Sequence, residues 1–176
     1  MSDTSPLVRF YAGAGPDARG RTIAEIWAWD DAALERVHDY IQWLFPLPEP
    51  SRFNDGAPLL TAADIAAFAA NAELRDNLQR SLRRLLAFYG FALGAGPRVS
   101  RTADFAAKAA NWLTPGNHNV LRLTRILRAL SLLGLGGDAR ALLAALEEVY
   151  RGGGGAAIGE RSLAFWRGAV TPAAAR

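Results

Sequence analysis

The stretch from Asp30 to Pro50 constrains the fold more than any other part of the chain. It reads DDAALERVHDYIQWLFPLPEP, with acidic residues at one end and three closely spaced prolines at the other. An aspartate can cap the N-terminus of a helix, and proline cannot continue one, because it lacks the backbone N–H and clashes with the preceding turn. The sequence therefore predicts one helix of about four turns that ends near Leu44 or Phe45.

Large apolar residues recur along one side of this predicted helix. With about 100° between successive residues, the side chains that share the stripe are those of Leu34, Val37, Ile41, Leu44 and Phe45. Tyr40 and Trp43 widen the stripe, and His38 lies at its edge. The opposite side carries Asp39 and Gln42. Such a wide apolar face requires neighbours on more than one side, so we interpret the stretch as the central helix of the fold.

No run of β-branched residues alternates with polar residues in the manner of a strand. The predicted fold class is therefore all-α, an irregular bundle of about eight helices with two long central ones. A chain of 176 residues, of which 51% are hydrophobic, is long enough for one well-buried core and short for two. We expect a single domain over residues 10–170, preceded by a loose lead at residues 1–9 and followed by a frayed tail at 171–176.

Capping residues and glycines punctuate the rest of the chain. Thr22 and Thr61 can each cap a helix, and Thr61 has the capping-box spacing with Asp64. Gly90 is a natural end for one long helix, and the glycines that follow Leu133 end another. After the central helix, the sequence predicts helices near residues 62–71, 73–89, 102–112, 117–133, 138–150 and 161–167, with a loop at 92–101 and a flexible link at 152–155.

Cysteine is absent from the chain, which excludes disulfides and thiolate metal sites. No basic region followed by an apolar core opens the sequence, and no apolar run approaches the roughly 18 residues needed to cross a bilayer. We therefore expect a soluble, cytoplasmic protein with no membrane span. Heavy use of alanine, glycine and arginine is typical of a genome rich in G and C, which favours a bacterial source.

The two histidines of the chain define a candidate site. His38 lies on the predicted central helix, and His118 lies at the start of the second long helix. Helical spacing places His118, Arg122 and Arg125 within about 60° of one another, on the side away from the leucines and isoleucines of the core. The candidate ligand-binding residues are His38, Asp39, Gln42, Trp43, Asn117, His118, Arg122 and Arg125.

Three interpretations of this cluster are open. In the structural one, Arg122 and Arg125 form salt bridges to Asp39 or Asp17 that lock two helices together, and Asn117 caps the later helix. In the second, the helix N-terminus and the guanidiniums bind a carboxylate or phosphate, with aromatic side chains as walls. In the third, the two histidines meet and hold a metal ion or haem, or serve an enzyme, although no HxH or HExxH spacing supports this.

Motifs for catalysis are missing from the sequence. There is no cysteine nucleophile and no GxSxG elbow, and the GxG at Gly13 follows no predicted strand, as a nucleotide cradle would require. We expect a non-catalytic binding or interaction domain with a peptide-like or anionic ligand and without a cofactor or metal. The alternative is a nucleic-acid-associated protein, although the net charge is only +3. Its phosphate-facing residues would be Arg80, Arg83, Arg84, Arg98 and Arg101.

Two long segments resemble a known family. The segment HDYIQWLFPLPEPS, from His38 to Ser51, and the segment NHNVLRLTRILRALSLLGL, from Asn117 to Leu135, are similar to the conserved domain of the opioid growth factor receptor family. The resemblance extends over about residues 10–170, with the flanking segments in the same order. It implies a helical domain with a receptor-like role. Vertebrate members of the family are described as receptors for the pentapeptide Met-enkephalin that restrain cell growth and associate with the nucleus.

Overall fold

The computed structural model describes residues 4–170 of the chain. Within this range, eleven α-helices and a hairpin of two short strands form the regular structure. None of these helices combines the length and the hydropathy that crossing a bilayer requires. The predicted all-α class is right for most of the described chain, but the hairpin and several short helices were not predicted. The predicted frayed tail at 171–176 lies outside the described residues.

The chain divides between Arg84 and Leu85 into two compact units, and short helices build most of the first. They are α1 (Pro6–Tyr11), α2 (Ile23–Trp27), α3 (Asp31–Arg36), α4 (Ile41–Leu44), α5 (Ala62–Ala70) and the first part of α6 (Ala72–Tyr89). Thr22 caps α2 and Thr61 caps α5, each in a capping box that satisfies two backbone N–H groups. The local signals for these two helix starts are therefore confirmed.

Helix α1 begins at Pro6, so the loose lead predicted at residues 1–9 is wrong from that residue onward, and residues 1–3 of that lead lie outside the described residues. Ser5 caps the helix by accepting a hydrogen bond from the N–H of Val8 (3.1 Å). Pro6 takes the first helical position, where its missing N–H would have had no partner in any case. The helix has only six residues, which is too short for a convincing apolar period, and its tertiary contacts stabilise it.

The predicted central helix is two helices in the structure. Its start and end are as predicted, since Asp30 accepts a hydrogen bond from the N–H of Ala33 (2.8 Å) and α4 ends at Leu44. Between them, Val37 has an extended backbone (φ −89°, ψ 133°), so that α3 ends at Arg36. The prediction of one continuous helix is therefore wrong, although the large apolar side chains of both pieces are buried.

Tertiary contacts hold the turn between α3 and α4, which comprises residues 37–40. The hydroxyl of Tyr40 donates to the carbonyl oxygen of Leu34 (3.1 Å), and its ring packs edge-on against that of Trp29 at 5.5 Å. Asp39 accepts hydrogen bonds from two arginines of an earlier loop. These contacts outweigh the helical preference of the stretch, because propensity is a weak term beside packing and ion pairing. The turn leaves His38 exposed.

A buried hydrogen-bond network joins α1, α2, α4 and α6 in the first unit. Trp27 Nε1 donates to Ser81 Oγ (2.9 Å), and Asn77 Nδ2 donates to the carbonyl oxygen of Tyr11 (2.8 Å). The Tyr11 hydroxyl donates to the carbonyl oxygen of Leu44. Burial raises the pKa of Tyr11 far above its ordinary value, and the hydrogen bond with Ser81 offsets only part of that rise. Tyr11 therefore remains a neutral donor, and the network fixes the helices that carry it.

The second unit contains the end of α6, the hairpin and five further helices. Its elements are β1 (Phe91–Leu93), β2 (Val99–Arg101), α7 (Phe105–Ala109), α8 (Asn119–Leu132), α9 (Gly136–Val149), α10 (Gly155–Ile158) and α11 (Glu160–Val170). Helix α8 packs against both α9 and α11. The two long helices predicted to end near Tyr89 and Leu133 are confirmed as α6 and α8, and their leucine faces are buried.

The hairpin replaces the loop predicted at residues 92–101. Its strands are antiparallel, with Phe91 opposite Arg101 and Leu93 opposite Val99. Each strand has three residues, which is too few for an alternating pattern to be recognised in the sequence. The helix predicted from residue 102 to residue 112 is also shorter, and only α7 is helical there.

The glycine-rich segment predicted as a flexible link at 152–155 is a kink between two helices. Gly152 and Gly153 have non-helical backbone angles, and α10 begins at Gly155. Gly153 has φ +113°, and a Cβ on Gly154 would lie 2.8 Å from the carbonyl oxygen of Val149. The glycines are therefore required by a tight backbone. Asp138 was predicted to cap α9, but the helix begins at Gly136 and Asp138 lies in its first turn.

Two buried tryptophans anchor the helices of the second unit. Trp112 Nε1 donates to the carbonyl oxygen of Tyr89 (3.0 Å), and Trp166 Nε1 donates to the carbonyl oxygen of Val120 (3.1 Å). Neither tryptophan is exposed to solvent. Each one therefore joins a large buried ring to a satisfied polar group, as burial of an indole requires.

Candidate functional site

A cleft of about 290 Å³ opens on the first unit. Its lining residues are Ala18, Arg19, Arg21, Asp39, Trp43, Asn54 and Gly56. They come from three places: the loop between α1 and α2, the α3–α4 turn with α4, and the loop that follows α4. Cations, a carboxylate, an amide and an indole thus face one space, which suits a small polar ligand with an apolar part.

The loop between α1 and α2 is closed around the buried side chain of Asp17. Asp17 Oδ1 accepts hydrogen bonds from the N–H groups of Arg19 (2.8 Å) and Arg21 (3.0 Å). Asp17 Oδ2 accepts from the Arg21 guanidinium, through Nε at 2.7 Å and Nη2 at 2.6 Å. Gly20 supplies the left-handed conformation that the turn needs (φ +81°). This local geometry presents both arginines to the cleft.

Asp39 bridges the two arginines. Its Oδ1 accepts from Arg21 Nη1 (2.9 Å), and its Oδ2 accepts from Arg19 Nε (3.1 Å). The exposed fraction of the side chain is 20% for Arg21, 28% for Asp39 and 73% for Arg19. The Arg21 guanidinium also lies 5.5 Å from the ring centre of Trp29. Arg21 is therefore enclosed on several sides, whereas Arg19 reaches into solvent.

Hydrogen bonds and charges within this cluster shift the pKa values of Arg21 and Asp39. Burial lowers the pKa of Arg21, but hydrogen bonds and charge interactions with Asp17 and Asp39 more than compensate, and the net change is a rise. Burial raises the pKa of Asp39, but hydrogen bonds and charge interactions with Arg21 and Arg19 lower it by more, so the net change is a fall. Arg21 and Asp39 are therefore both ionised at neutral pH.

The fall in the pKa of Asp39 predicts an acid-dependent part of the stability. The stabilisation is fully present above the usual carboxyl pKa of 3.8 and is lost as the pH falls through the lower pKa of the folded state. At pH 6, Asp39→Asn should therefore lower the free energy of unfolding. Urea denaturation at pH 6 and pH 3 should show the gap between wild type and variant shrinking at the lower pH. A gap that widened on acidification would contradict the ionised bridge.

The rest of the cleft is formed by α4 and the loop after it. Trp43 is buried and packs edge-on against Phe10, with 5.3 Å between ring centroids. Asn54 accepts a hydrogen bond from the N–H of Gly56 (3.1 Å), which shapes the loop. Asn54 Nδ2 lies 3.5 Å from Oε1 of buried Gln42, at the limit of a hydrogen bond. Trp43 is therefore a fixed wall of the cleft, and Gln42 supports Asn54, another lining residue.

The first half of the predicted ligand-binding set falls on this cleft in part. Asp39 and Trp43 line it, and Gln42 lies behind Asn54. His38 precedes Asp39 in the exposed turn and is not one of the lining residues. Sequence analysis missed Arg19, Arg21 and Asn54. The signal available for Arg21 was the spacing of four residues from Asp17, but that spacing does not reveal a distant partner such as Asp39.

The other half of the predicted set belongs to the second unit. Asn117 lies just before α8, and its Oδ1 accepts a hydrogen bond from the N–H of Asn119 (3.0 Å). His118 follows it and is exposed. Arg122 is only 6% exposed, with Nη1 3.5 Å from Oδ1 of Asn119, and Arg125 is half-buried. The N-cap predicted at Asn117 falls on His118 in the structure, and the face of α8 that carries Arg122 is buried.

The expected partners of Arg122 and Arg125 have other roles. Asp17 and Asp39 were proposed to pair with these arginines, but both carboxylates bind Arg21, and Asp39 also binds Arg19. Both histidines of the chain are exposed. Among residues 4–170, no three histidine, aspartate or glutamate side chains are grouped so as to hold a metal ion.

The arginines proposed to contact nucleic acid are largely engaged within their own units. Arg84 donates through Nη2 to the carbonyl oxygen of Trp29 (2.7 Å) and to Asp31 (2.9 Å), so it is a structural residue. Arg80 lies over the ring of Trp27 at 4.2 Å. Of the remaining three, Arg101 lies over the ring of Phe105, Arg83 donates to Gln79, and Arg98 is exposed.

These features define a class of protein: a small, mainly helical protein of two compact units, with a charged and aromatic-walled cleft on the first. The family model described as "Opioid growth factor receptor (OGFr) conserved region" matches residues 7–150. The chain therefore belongs to the opioid growth factor receptor family, as the two signature segments indicated.

Curated relatives give the same family. The opioid growth factor receptor of Rattus norvegicus is 43% identical over 116 residues, which cover 64% of this chain and 20% of the rat protein. The Homo sapiens receptor is 40% identical over 116 residues, which cover 64% of this chain and 17% of the human protein. The opioid growth factor receptor-like protein 1 of Mus musculus is 36% identical over 144 residues, or 76% of this chain and 29% of that protein. The match thus spans less than a third of each relative. No solved structure matches the chain.

Proposed function

We propose that this chain is a non-catalytic, receptor-like binding domain whose cleft on the first unit takes a carboxylate-bearing, peptide-like ligand. The family supports the binding role, because the relatives carry the name of receptors. The observation that carries the proposal is the position of Arg19, which lines the cleft. Its side chain is 73% exposed, and its guanidinium binds Asp39 through one edge. A guanidinium with free N–H groups is the side chain best suited to a carboxylate.

The remaining lining residues match the other parts of a peptide. Trp43 offers an apolar surface, and Asn54 offers an amide that can pair with a peptide group. At about 290 Å³ the cleft is at the lower end of the size range for ligand sites. It is therefore suited to the end of a peptide or one acidic residue with its neighbour, rather than to a long segment.

The second unit holds the other residues of the predicted ligand-binding set. Asn117 and His118 lie at the N-terminus of α8, where the helix dipole favours an anion, and Arg122 and Arg125 lie further along the same helix. Contact between these four residues and an anion stays a prediction. Cytoplasmic location and a bacterial source also stay predictions from the sequence.

The proposal predicts that binding depends on a free carboxylate and on Arg19. As a probe we choose acetyl-Ala-Ala-Phe with a free C-terminus, compared with its C-terminal amide. In nitrogen-15 NMR titrations, the free acid should shift the Trp43 indole and Arg19 Nε signals, and the amide should bind more weakly. Arg19→Gln should weaken binding of the free acid about tenfold, because a charge-assisted hydrogen bond is lost.

Arg83→Gln provides the matched control, because Arg83 is an exposed arginine of the same unit that does not line the cleft. It should bind the free acid as the wild type does. Equal binding of acid and amide, or equal losses in the two arginine variants, would show that the cleft does not recognise a carboxylate. The nucleic-acid alternative differs in its salt response, since binding through phosphate contacts falls steeply as salt rises.

A further inference from the structure

Asp39 lines the cleft and already holds Arg19 Nε, on one of the guanidinium edges that could bind a ligand carboxylate. We propose that Asp39 is a built-in competitor: it occupies Arg19 while the cleft is empty and gives Arg19 up to the carboxylate of the ligand. This inference rests on the proposed function, because it concerns how the same cleft admits its ligand. It makes Asp39 a residue that sets how tightly an anion binds, since the anion must displace it from Arg19.

The two arginines of the cleft are held very unequally. Arg21 binds Asp17 through two nitrogens at 2.7 and 2.6 Å and binds Asp39 through a third at 2.9 Å. Arg19 forms one ion pair among the described residues, to Asp39 at 3.1 Å, and is largely exposed. Arg19 is therefore the guanidinium that can turn to a ligand, and Arg21 is the one that stays.

Asp39 keeps a partner after Arg19 leaves. Its two oxygens are divided between the arginines, Oδ1 to Arg21 and Oδ2 to Arg19. Release of Arg19 therefore leaves Asp39 bound to Arg21, and its freed oxygen lies in a side chain that is 28% exposed and accessible to water. The exchange creates no buried unpaired charge, which is the outcome that makes most ion pairs costly to open.

The energetic balance favours exchange over simple opening. A solvent-exposed ion pair such as Arg19–Asp39 contributes little to stability, so opening it costs little. A ligand carboxylate that binds the guanidinium through two parallel hydrogen bonds replaces that loss and adds geometric specificity. A neutral ligand has no charge to exchange for that of Asp39, so it leaves the Arg19–Asp39 pair in place. Asp39 therefore lowers the affinity of the cleft for anionic ligands more than for neutral ones, because an anion must displace Asp39 and is repelled by its charge.

The test compares Asp39→Asn with wild type, using the acetyl-Ala-Ala-Phe free acid and its amide. The variant keeps the shape of the side chain and removes its charge, so the free acid should bind about three- to tenfold more tightly. The amide should gain much less. In the wild-type protein, the Arg19 Nε signal should shift on titration while the Arg21 Nε signal stays in place, a measurement that needs no variant.

Asp76→Asn is the matched control, because it removes one exposed negative charge from α6 in the same unit, away from the cleft. It should leave the affinity for the free acid unchanged. Equal or weaker binding of the free acid by Asp39→Asn, or a shift of Arg21 rather than Arg19, overturns the inference and leaves the proposed function standing. Absence of binding in both wild type and Asp39→Asn overturns the proposed function and the inference together.

Discussion

Replacing Gly90 by alanine is expected to destabilise the protein by about 2–5 kcal/mol, through backbone strain and overpacking together. Gly90 follows the last residue of α6 with φ +85°, a conformation that side chains with a Cβ rarely adopt. A Cβ at this position would lie 2.9 Å from the Cα of Phe105 and 3.1 Å from its ring. Its carbonyl oxygen also accepts two hydrogen bonds from Thr102, each of 2.9 Å, so the backbone cannot shift freely.

Gly116→Ala separates these two causes. Gly116 has a similar backbone conformation, with φ +70°, but a Cβ there would have no neighbour within 4 Å. It should therefore show the strain alone, about 1 kcal/mol. Urea denaturation followed by circular dichroism measures both variants. Equal losses in the two would mean that the close approach of Phe105 is relieved at no cost.

Helices whose causes are local were predictable from the sequence. The capping boxes at Thr22 and Thr61 and the stop at Gly90 each depend on groups within a few residues, so their spacing in the sequence is sufficient. The leucine faces of α6 and α8 span several turns, and a long period cannot be mistaken for a strand. These elements account for the correct fold class.

The break between α3 and α4 was not predictable by the same reasoning. The apolar stripe from Leu34 to Phe45 fits one helix as well as two, because both arrangements bury the same large side chains. What favours two helices is the contact of Asp39 with Arg19 and Arg21, which lie about twenty residues earlier in the chain. Sequence periodicity contains no information about such a distant ion pair.

The candidate site was predicted in part for the same reason. Asp39 and Trp43 were identified because polar and aromatic residues stand out in a signature segment, and both line the cleft. The sequence predicted their cationic partners on α8, where Arg122 and Arg125 follow a histidine. The structure instead uses Arg21, which Asp17 holds in a loop that shows no helical or strand pattern. Residue types were thus easier to predict than pairings.

Replacing Arg21 by alanine should destabilise the protein by about 3 kcal/mol, because it leaves a buried carboxylate without its counter-charge. The side chain of Asp17 is fully buried and has only backbone N–H groups as further partners in the described residues. Asp39 also loses its stronger partner. Arg21→Lys keeps the charge but cannot form the fork of hydrogen bonds, so an intermediate loss is expected.

Arg19→Ala is the control, since it removes the same kind of side chain from the same loop. Its guanidinium is mostly exposed, and its one ion pair in the described range should contribute at most about 0.5 kcal/mol. Thermal or urea unfolding of both variants tests the contrast, and similar losses would contradict it. The contrast matters for function, because a binding site needs one group that holds the loop and another that is free to exchange partners. If Arg21 alone supports stability, then Arg19 can leave Asp39 for a ligand without unfolding the loop that carries it.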